Sequence, residues 1–570
     1  MSEKLNREYN KYVAYQIYPM SFCDSNNDGI GDINGIRSKL DYLVSLGIDM
    51  IWICPIFASP MDDNGYDVSN FYAINPMFGT FDDFKNLIKE AHEKNIKIIL
   101  DLVLNHTSSE HEWFKKAISD VNCPEHGYYY FKKGKINADG KREPPNNWAS
   151  FFSTSAREYV PAIDEYYLHI FSSKMPDLNY TNPLLMEEMK KVAAYWLDLG
   201  IDGYRIDAVA HLAKDTSFAD STLPVDANSR VLDFTKFSNR EELFDYLNEL
   251  STGVFKPRNA FIIGEVGGCA TSSEALKYSR YNIGPANMVF NFDTCWENGA
   301  YGSITKEDNE IVTNVWNLKH LFLKWYRGCY KDSDMPLYWN NHDHPRVLSQ
   351  YGSVKYRKES GKMLITTLLF MYGLPFILYG DELGMSNADY TDLNDFKDIN
   401  DVNFRAENTK YTTEEHLRFA RRCSRSNGRL PFCWKNDING GFSKVSPSIK
   451  SPGYFKEVNK EDEDKDPNSV LNYYRNIIKL RHQNEIIESI IDNEFELVDE
   501  NNVDVFAYSH FGSKMNILVI SNFRDFEVDF NLIHKIKRII IKNYEEVKID
   551  GKTLKLRPFE SVIFEVEIND

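Results

Sequence analysis

The chain has 570 residues, 42% of them hydrophobic and 26% charged, and a formal net charge of −18 at neutral pH. That make-up fits a soluble globular protein long enough for more than one domain, or for one large barrel with additions. The acidity argues against nucleic acid, whose phosphates need a basic face, and suits a neutral ligand. The first eight residues hold no apolar run, so no secretory leader is expected, and the most apolar stretch, Leu364–Tyr372, is too short to span a bilayer. Cysteines at 23, 54, 123, 269, 295, 329, 423 and 433 lack paired spacing. They read as reduced and mostly buried, which suits a cytoplasmic protein.

A short strand is predicted at Val13–Pro19, followed at once by Asp24-Ser-Asn-Asn-Asp-Gly-Ile-Gly-Asp32. Oxygen side chains at Asp24, Asn26, Asp28 and Asp32, with a turn at Gly29, follow the one-three-five-nine order of a calcium loop. The Ile30 carbonyl would be a further ligand. The twelfth position is Gly35, so the loop is not an EF-hand. A structural Ca²⁺ or Mg²⁺ is expected, because three acids so close repel unless neutralised; the other reading is a polar Asx-turn loop.

The periodicity predicts a helix over Ile36–Gly47, a buried strand at Met50–Pro55, a polar loop Asp62–Asp67 around Tyr66, a helix capped by Thr80, and a third strand at Ile96–His106. Further strands are predicted at Gly203–Val209, Ala260–Val266, Met288–Asp293, Leu337–Asp343 and Phe376–Glu382, with helices between them such as Leu318–Tyr330 and Glu359–Tyr372. Eight nearly wholly apolar strands alternating with helices predict a (β/α)8 TIM barrel, with its site at the C-terminal strand ends. The 107–174 segment is too long for a loop and reads as an inserted subdomain. The barrel then takes 1–106 and 175–482, and short strands at Val503–Tyr508, Met515–Ile520 and Val562–Val566 predict an antiparallel β-sandwich over 483–570.

Chemistry gathers in Asp202-Gly-Tyr-Arg-Ile-Asp207. On a strand, Arg205 and Asp207 share a face, and a cation there keeps the carboxylate ionised and able to attack carbon. The plainer reading is an ion pair that only holds register. Other predicted strand ends carry Asn105-His106, Glu265 and Asn341-His-Asp343. Two carboxylates at one barrel mouth are what glycosidic cleavage needs, one as nucleophile and one, kept protonated, as acid.

Together, Asp101–His106, Gly203–Asp207 with His211, Glu265, and Asn341–Asp343 resemble the four signature regions of the α-amylase superfamily of retaining α-glycoside hydrolases. Gln16-Ile-Tyr-Pro19, Trp339–Asp343 with Pro345-Arg346, and Arg425–Arg429 with Pro431 resemble its α-glucosidase and oligo-1,6-glucosidase branch. The resemblance implies Asp207 as nucleophile, Glu265 as acid and base, and Asp343 as stabiliser of the oxocarbenium-like transition state. It also implies that Arg205 orients Asp207, that His106 and His342 bind sugar hydroxyls, and that Tyr66 and Phe171 flank the ring. Asp63 and Arg425 would close the non-reducing end, so the substrate would be a short gluco-oligosaccharide and no organic cofactor is needed. Neither nucleic acid nor membrane is an expected partner, and a monomer or small homo-oligomer is expected. Met175, where the branch usually has Gln, and Ala208, where oligo-1,6-glucosidases have Val, point to α-1,4 over α-1,6 linkages. The alternatives are an oligo-1,6-glucosidase, a sucrose or trehalose isomerase, a hydrolase of a phosphorylated disaccharide, and a catalytically silent binding or transporter-associated relative.

Overall fold

The computed structural model describes residues 7–152, 155–226, 228–293, 297, 300, 303–307 and 310–567. Eight strands form the central sheet: β1 (Ala14–Ile17), β2 (Met50–Ile53), β3 (Lys97–Val103), β4 (Gly203–Asp207), β5 (Phe261–Glu265), β6 (Met288–Phe290), β7 (Pro336–Leu337) and β8 (Leu374–Leu378). Their order, β6-β5-β4-β3-β2-β1-β8-β7, is the sequential order of a (β/α)8 barrel. The chain falls into two compact units, 52–88 with 98–291, and 1–51 with 89–97 and 292–570.

In the first unit β3, β4, β5 and β6 pair in parallel, with Arg205 opposite Asp101 on one side and Ile263 on the other. Helix α1 (Pro183–Leu199) leads into β4. Asn182 caps its start by accepting from the Leu184 N–H at 3.0 Å, and Gly200 at φ 118° ends it. A Cβ on Gly203 would lie 1.9 Å from the Phe261 carbonyl oxygen, so only glycine lets β4 start against β5. The Asp202 carboxylate accepts the Ile98 N–H at 2.8 Å and ties β4 to β3. These contacts set the register that carries Arg205 and Asp207.

The 107–174 segment has a three-stranded sheet (Phe131–Lys132, Glu165–Leu168, Arg157–Val160) and a hairpin of Lys135–Ile136 with Arg142–Glu143. Tyr130, Trp148, Ala156, Leu168 and Ile170 form its core, and Phe237 joins them from the long connection after β4.

In the second unit β1 pairs in parallel with β8, and β8 with β7. Helices α2 (Val315–Cys329) and α3 (Arg357–Leu369) precede β7 and β8, and α4 (Ile399–Glu407) and α5 (Val470–Arg481) follow. The C-terminal region is a five-stranded and a three-stranded antiparallel sheet, both packed on one core that includes Val505, Leu518, Phe530, Leu554 and Phe564. That is the expected sandwich.

Several predicted bounds move. The helix expected over Ile36–Gly47 is two pieces, Ile33–Arg37 and Leu40–Leu46, because Ser38 turns its hydroxyl back onto the Gly35 carbonyl at 2.7 Å. β7 stops at Leu337, so Asn341–Asp343 lie in a turn beyond it. β8 stops at Leu378, and Asp381–Leu383 form a 3-10 turn. Seven described cysteines are free thiols, Cys269 exposed; Cys295 lies outside the described residues. Among the described residues no helix is long and apolar enough to cross a membrane.

Candidate active site

Arg205 is the hub of the first unit's site. Its guanidinium is 1% exposed and meets three carboxylates: Asp101 at 2.6 Å, Asp207 at 2.7 Å and Glu265 at 2.8 Å. The Ala208 N–H donates to Glu265 Oε2 at 2.9 Å. One planar guanidinium gripping both groups suits the short carboxyl separation of retaining glycosidases, ~5–5.5 Å, rather than the wider gap of inverting ones.

One cation is shared among three adjoining carboxyl groups. Burial pushes Asp207 well above the usual carboxylate range, Arg205 opposes it, and Glu265 and Asp101 reinforce it. Asp101 is pushed up to about 6 by burial against the pull of Arg205. Trp52 Nε1 donates to Asp101 at 2.8 Å and the Tyr66 hydroxyl at 3.4 Å, while Arg205 lies 5.2 Å and 5.8 Å from the Trp52 and Tyr66 ring centres. Asp101 and Trp52, with no role assigned from sequence, thus support the hub.

His106 is buried, and burial pushes it down to about 3, so it stays neutral. Its ring stands edge-on to Phe171 at 5.3 Å, and Phe171 stacks on Phe151 at 5.1 Å. Asn105 spans His106 Nδ1 and Asp177 Oδ1, each at 3.2 Å, and accepts from the buried Lys214 at 2.7 Å. Lys214 in turn pairs with Asp177 at 3.1 Å. A lysine closing the apolar run Ala208–Lys214 was the sequence signal for that buried pair. Asp63 is buried, its N–H on Asp67 at 3.1 Å.

In the second unit the turn after β7 carries His342 and Asp343. Gln16 of β1 contacts His342 Nδ1 at 2.7 Å, and His342 Nε2 lies 3.2 Å from Asp343 Oδ2. Asp343 Oδ1 takes Arg429 at 2.7 Å and Arg425 at 3.4 Å. Both arginines also reach Asp398, at 2.9 Å and 3.0 Å. A Cβ on Gly428 would sit 2.6 Å from the His344 carbonyl and 2.9 Å from that of Asn341, so glycine lets the arginine turn close on the Asp343 turn. The structure thus adds Arg429 and Asp398. Asp398 reads from sequence only as a helix cap.

Asp24, Asn26, Asp28 and Asp32 do share one loop. Asp24 accepts the N–H groups of Asn26, Asn27 and Gly29 at 3.1, 2.6 and 2.9 Å, Asp28 that of Ile30 at 2.9 Å, and Asp32 those of Ser25 and Gly35 at 2.8 and 2.7 Å. The i, i+2 bonds to Asp24 and Asp28 are Asx turns, the plainer reading of the loop, and Asp32 closes the loop on Ser25 while capping the helix Ile33–Arg37. Among the described residues no group of three or more His, Cys, Asp or Glu is arranged to hold a metal. Asp24 Oδ1 and Asp32 Oδ1 each already accept two bonds, whereas Asp24 Oδ2, Asn26 Oδ1 and the Asp28 oxygens each accept one, so part of the expected ligand set still fits a hard cation.

The α-amylase catalytic-domain family matches residues 16–489, and the C-terminal domain of the α-amylase SusG matches 505–563. The chain belongs to the α-amylase family. It is a glycoside hydrolase built on a (β/α)8 barrel with a C-terminal antiparallel domain. The oligo-1,6-glucosidase of Parageobacillus thermoglucosidasius is 36% identical over 98% of each chain. Among solved structures, the trehalose-6-phosphate hydrolase of Bacillus licheniformis is similar with 33% identity and a TM-score of 0.89, covering 99% of this chain and 100% of that one. The isomaltulose synthase of Klebsiella sp. is similar with 32% identity and a TM-score of 0.90, covering 98% and 99%.

Proposed function

We propose that this enzyme is a retaining, exo-acting α-glucosidase that cleaves short gluco-oligosaccharides from the non-reducing end, with α-1,4 preferred over α-1,6. The observation that carries the reading is Arg205 held at once to Asp207 and Glu265, at 2.7 and 2.8 Å. Asp207 attacks the anomeric carbon. The glycosidic C–O bond breaks, its electron pair goes to the leaving oxygen, and Glu265 supplies that oxygen's proton. Water then gives a proton to Glu265 and its oxygen bonds to the anomeric carbon as Asp207 departs. Two displacements retain configuration.

Asp343 stabilises the positive charge that builds on the sugar, and Arg425 and Arg429 hold its Oδ1 in place. His106 and His342 bind hydroxyls of that sugar, Tyr66 and Phe171 flank its ring, and Asp63 and Arg425 close the far end. These roles rest on the motif resemblance. Asp24, Asn26, Asp28, the Ile30 carbonyl and Asp32 hold a Ca²⁺ or Mg²⁺ that braces the loop and takes no part in chemistry. The location is cytoplasmic, and the active form a monomer or small homo-oligomer.

The α-1,4 preference rests on Ala208 and Met175. The 36% identity to a protein named an oligo-1,6-glucosidase favours α-1,6 as the second reading. Likeness to a trehalose-6-phosphate hydrolase and to an isomaltulose synthase keeps phosphorylated disaccharides and glucosyl transfer as comparisons. Initial rates on maltose, isomaltose, sucrose, trehalose, trehalose 6-phosphate and starch test all of these. Maltose should lead, sucrose should release free glucose rather than an isomer, and starch should be poor. A lead by isomaltose or trehalose 6-phosphate overturns the linkage or substrate assignment.

A further inference from the structure

Two arginines and two aspartates in the second unit form a closed square of alternating charge. Arg429 bridges Asp343 and Asp398 at 2.7 and 2.9 Å. Arg425 bridges the same two, at 3.4 Å and 3.0 Å. Both contacts to Asp343 fall on Oδ1, while Oδ2 lies 3.2 Å from His342 Nε2. Two formal positive and two formal negative charges balance, so Asp343 carries no net excess of cation beside it.

Asp398 is the fixed corner. It caps α4, its Oδ1 accepting the Asn400 N–H at 2.9 Å, where the helix N-terminus favours a negative charge. Its side chain is 3% exposed. It takes Arg425 through Nε at 3.1 Å as well as Nη2, a two-pronged grip that fixes the plane of that guanidinium. Arg429 is 2% exposed and is further held by its Nε on the His342 carbonyl at 2.9 Å. Without Asp398, the buried Arg429 and the half-buried Arg425 would converge on one oxygen of Asp343. The carboxylate would be drawn onto them, and the negative potential it offers a substrate would be spent on its own neighbours.

We propose that Asp398 is a positioning residue for the glycosidic reaction, acting on Asp343 through Arg425 and Arg429 so that Asp343 keeps both its orientation and its charge for the transition state. This rests on the reading of Asp343 as the transition-state stabiliser. A stabiliser that acts only as charge develops changes kcat and not KM, and a residue that acts through it does the same.

The test is a double-mutant cycle on the full chain with an aryl α-glucoside, whose good leaving group keeps slow variants measurable. Asp398→Asn keeps a capping oxygen and removes the charge, and Asp398→Ser is the second variant should the first not fold. Asp398→Asn should lower kcat roughly ten- to hundredfold, the scale of one charge-assisted contact, with KM rising by less than kcat falls because Arg425 also meets the sugar. In the Asp343→Asn background the same change should cost less than about threefold, because the partner it acts through is gone. An Asp398→Asn kcat near wild type beside a crippled Asp343→Asn overturns the inference. So do losses that multiply in the double variant, which is what a purely structural ion pair would give. If Asp343→Asn alone keeps its activity, the reading of Asp343 fails first, and the single variant shows that separately.

Discussion

Ala208 follows Asp207, the proposed nucleophile, and sits in the left-handed region, at φ 45° and ψ 32°. It is 6% exposed, and its N–H holds Glu265 at 2.9 Å. Ala208→Val therefore does two things. It puts a branched Cβ on a backbone that already costs any L-residue roughly 1–2 kcal/mol, with further strain on the order of 1 kcal/mol. That strain loosens the grip on Glu265 and slows every substrate alike. It also fills space beside the bond being cleaved, where one contact of that size discriminates by roughly 1–3 kcal/mol, about 10–200-fold. The common strain cancels in the ratio of kcat/KM for maltose to kcat/KM for isomaltose. Wild type should favour maltose, and Ala208→Val should lower both activities while moving the ratio toward isomaltose by at least about tenfold. Ala208→Gly is the control, since it relieves the left-handed strain and adds no bulk. Its melting temperature should hold or rise, and its ratio should not move toward isomaltose. An unchanged ratio in Ala208→Val would refute the steric reasoning and leave Ala208 as packing only.

The carboxyl cluster makes a prediction about pH. Asp207 must lose its proton to attack, and burial, Glu265 and Asp101 all hold that proton on. Activity should therefore climb with pH through a limb above the ordinary carboxylate range, and Asp101→Asn, by removing one of the anions, should move that limb of kcat/KM to lower pH. A limb that stays put or moves up would contradict this electrostatic account. For the Asp24–Asp32 loop, chelation should lower the melting temperature and leave the initial rate at low temperature nearly unchanged. Immediate loss of activity in EDTA, restored by metal without refolding, would show that the loop serves chemistry instead.

Apolar runs and their punctuation made the barrel legible, because a strand buried on both faces must be apolar almost throughout. The same rule misplaced the ends of β7 and β8. Tyr338 and Trp339 prolong the apolar run past Leu337 because they are buried, not because they are paired in the sheet. Asp207, Glu265 and Asp343 could be proposed from local motifs, since each stands beside a recognisable neighbour. Their supports could not. Asp101 meets Arg205 from 104 positions away, and Asp398 meets Arg425 and Arg429 from 27 and 31. An aspartate ahead of a helix reads as a cap whether or not it also anchors two cations. The left-handed backbone at Ala208 had no signal either, because alanine is not the residue that usually marks one.

The central claim is two-step displacement by Asp207 with Glu265 as acid and base, and the anomer first released tests it most directly. Proton NMR in the first minutes of hydrolysis, before mutarotation, should show α-glucose as the initial product. Initial β-glucose would mean a single displacement by water, and would contradict the paired geometry of Arg205, Asp207 and Glu265 as the basis of the reaction.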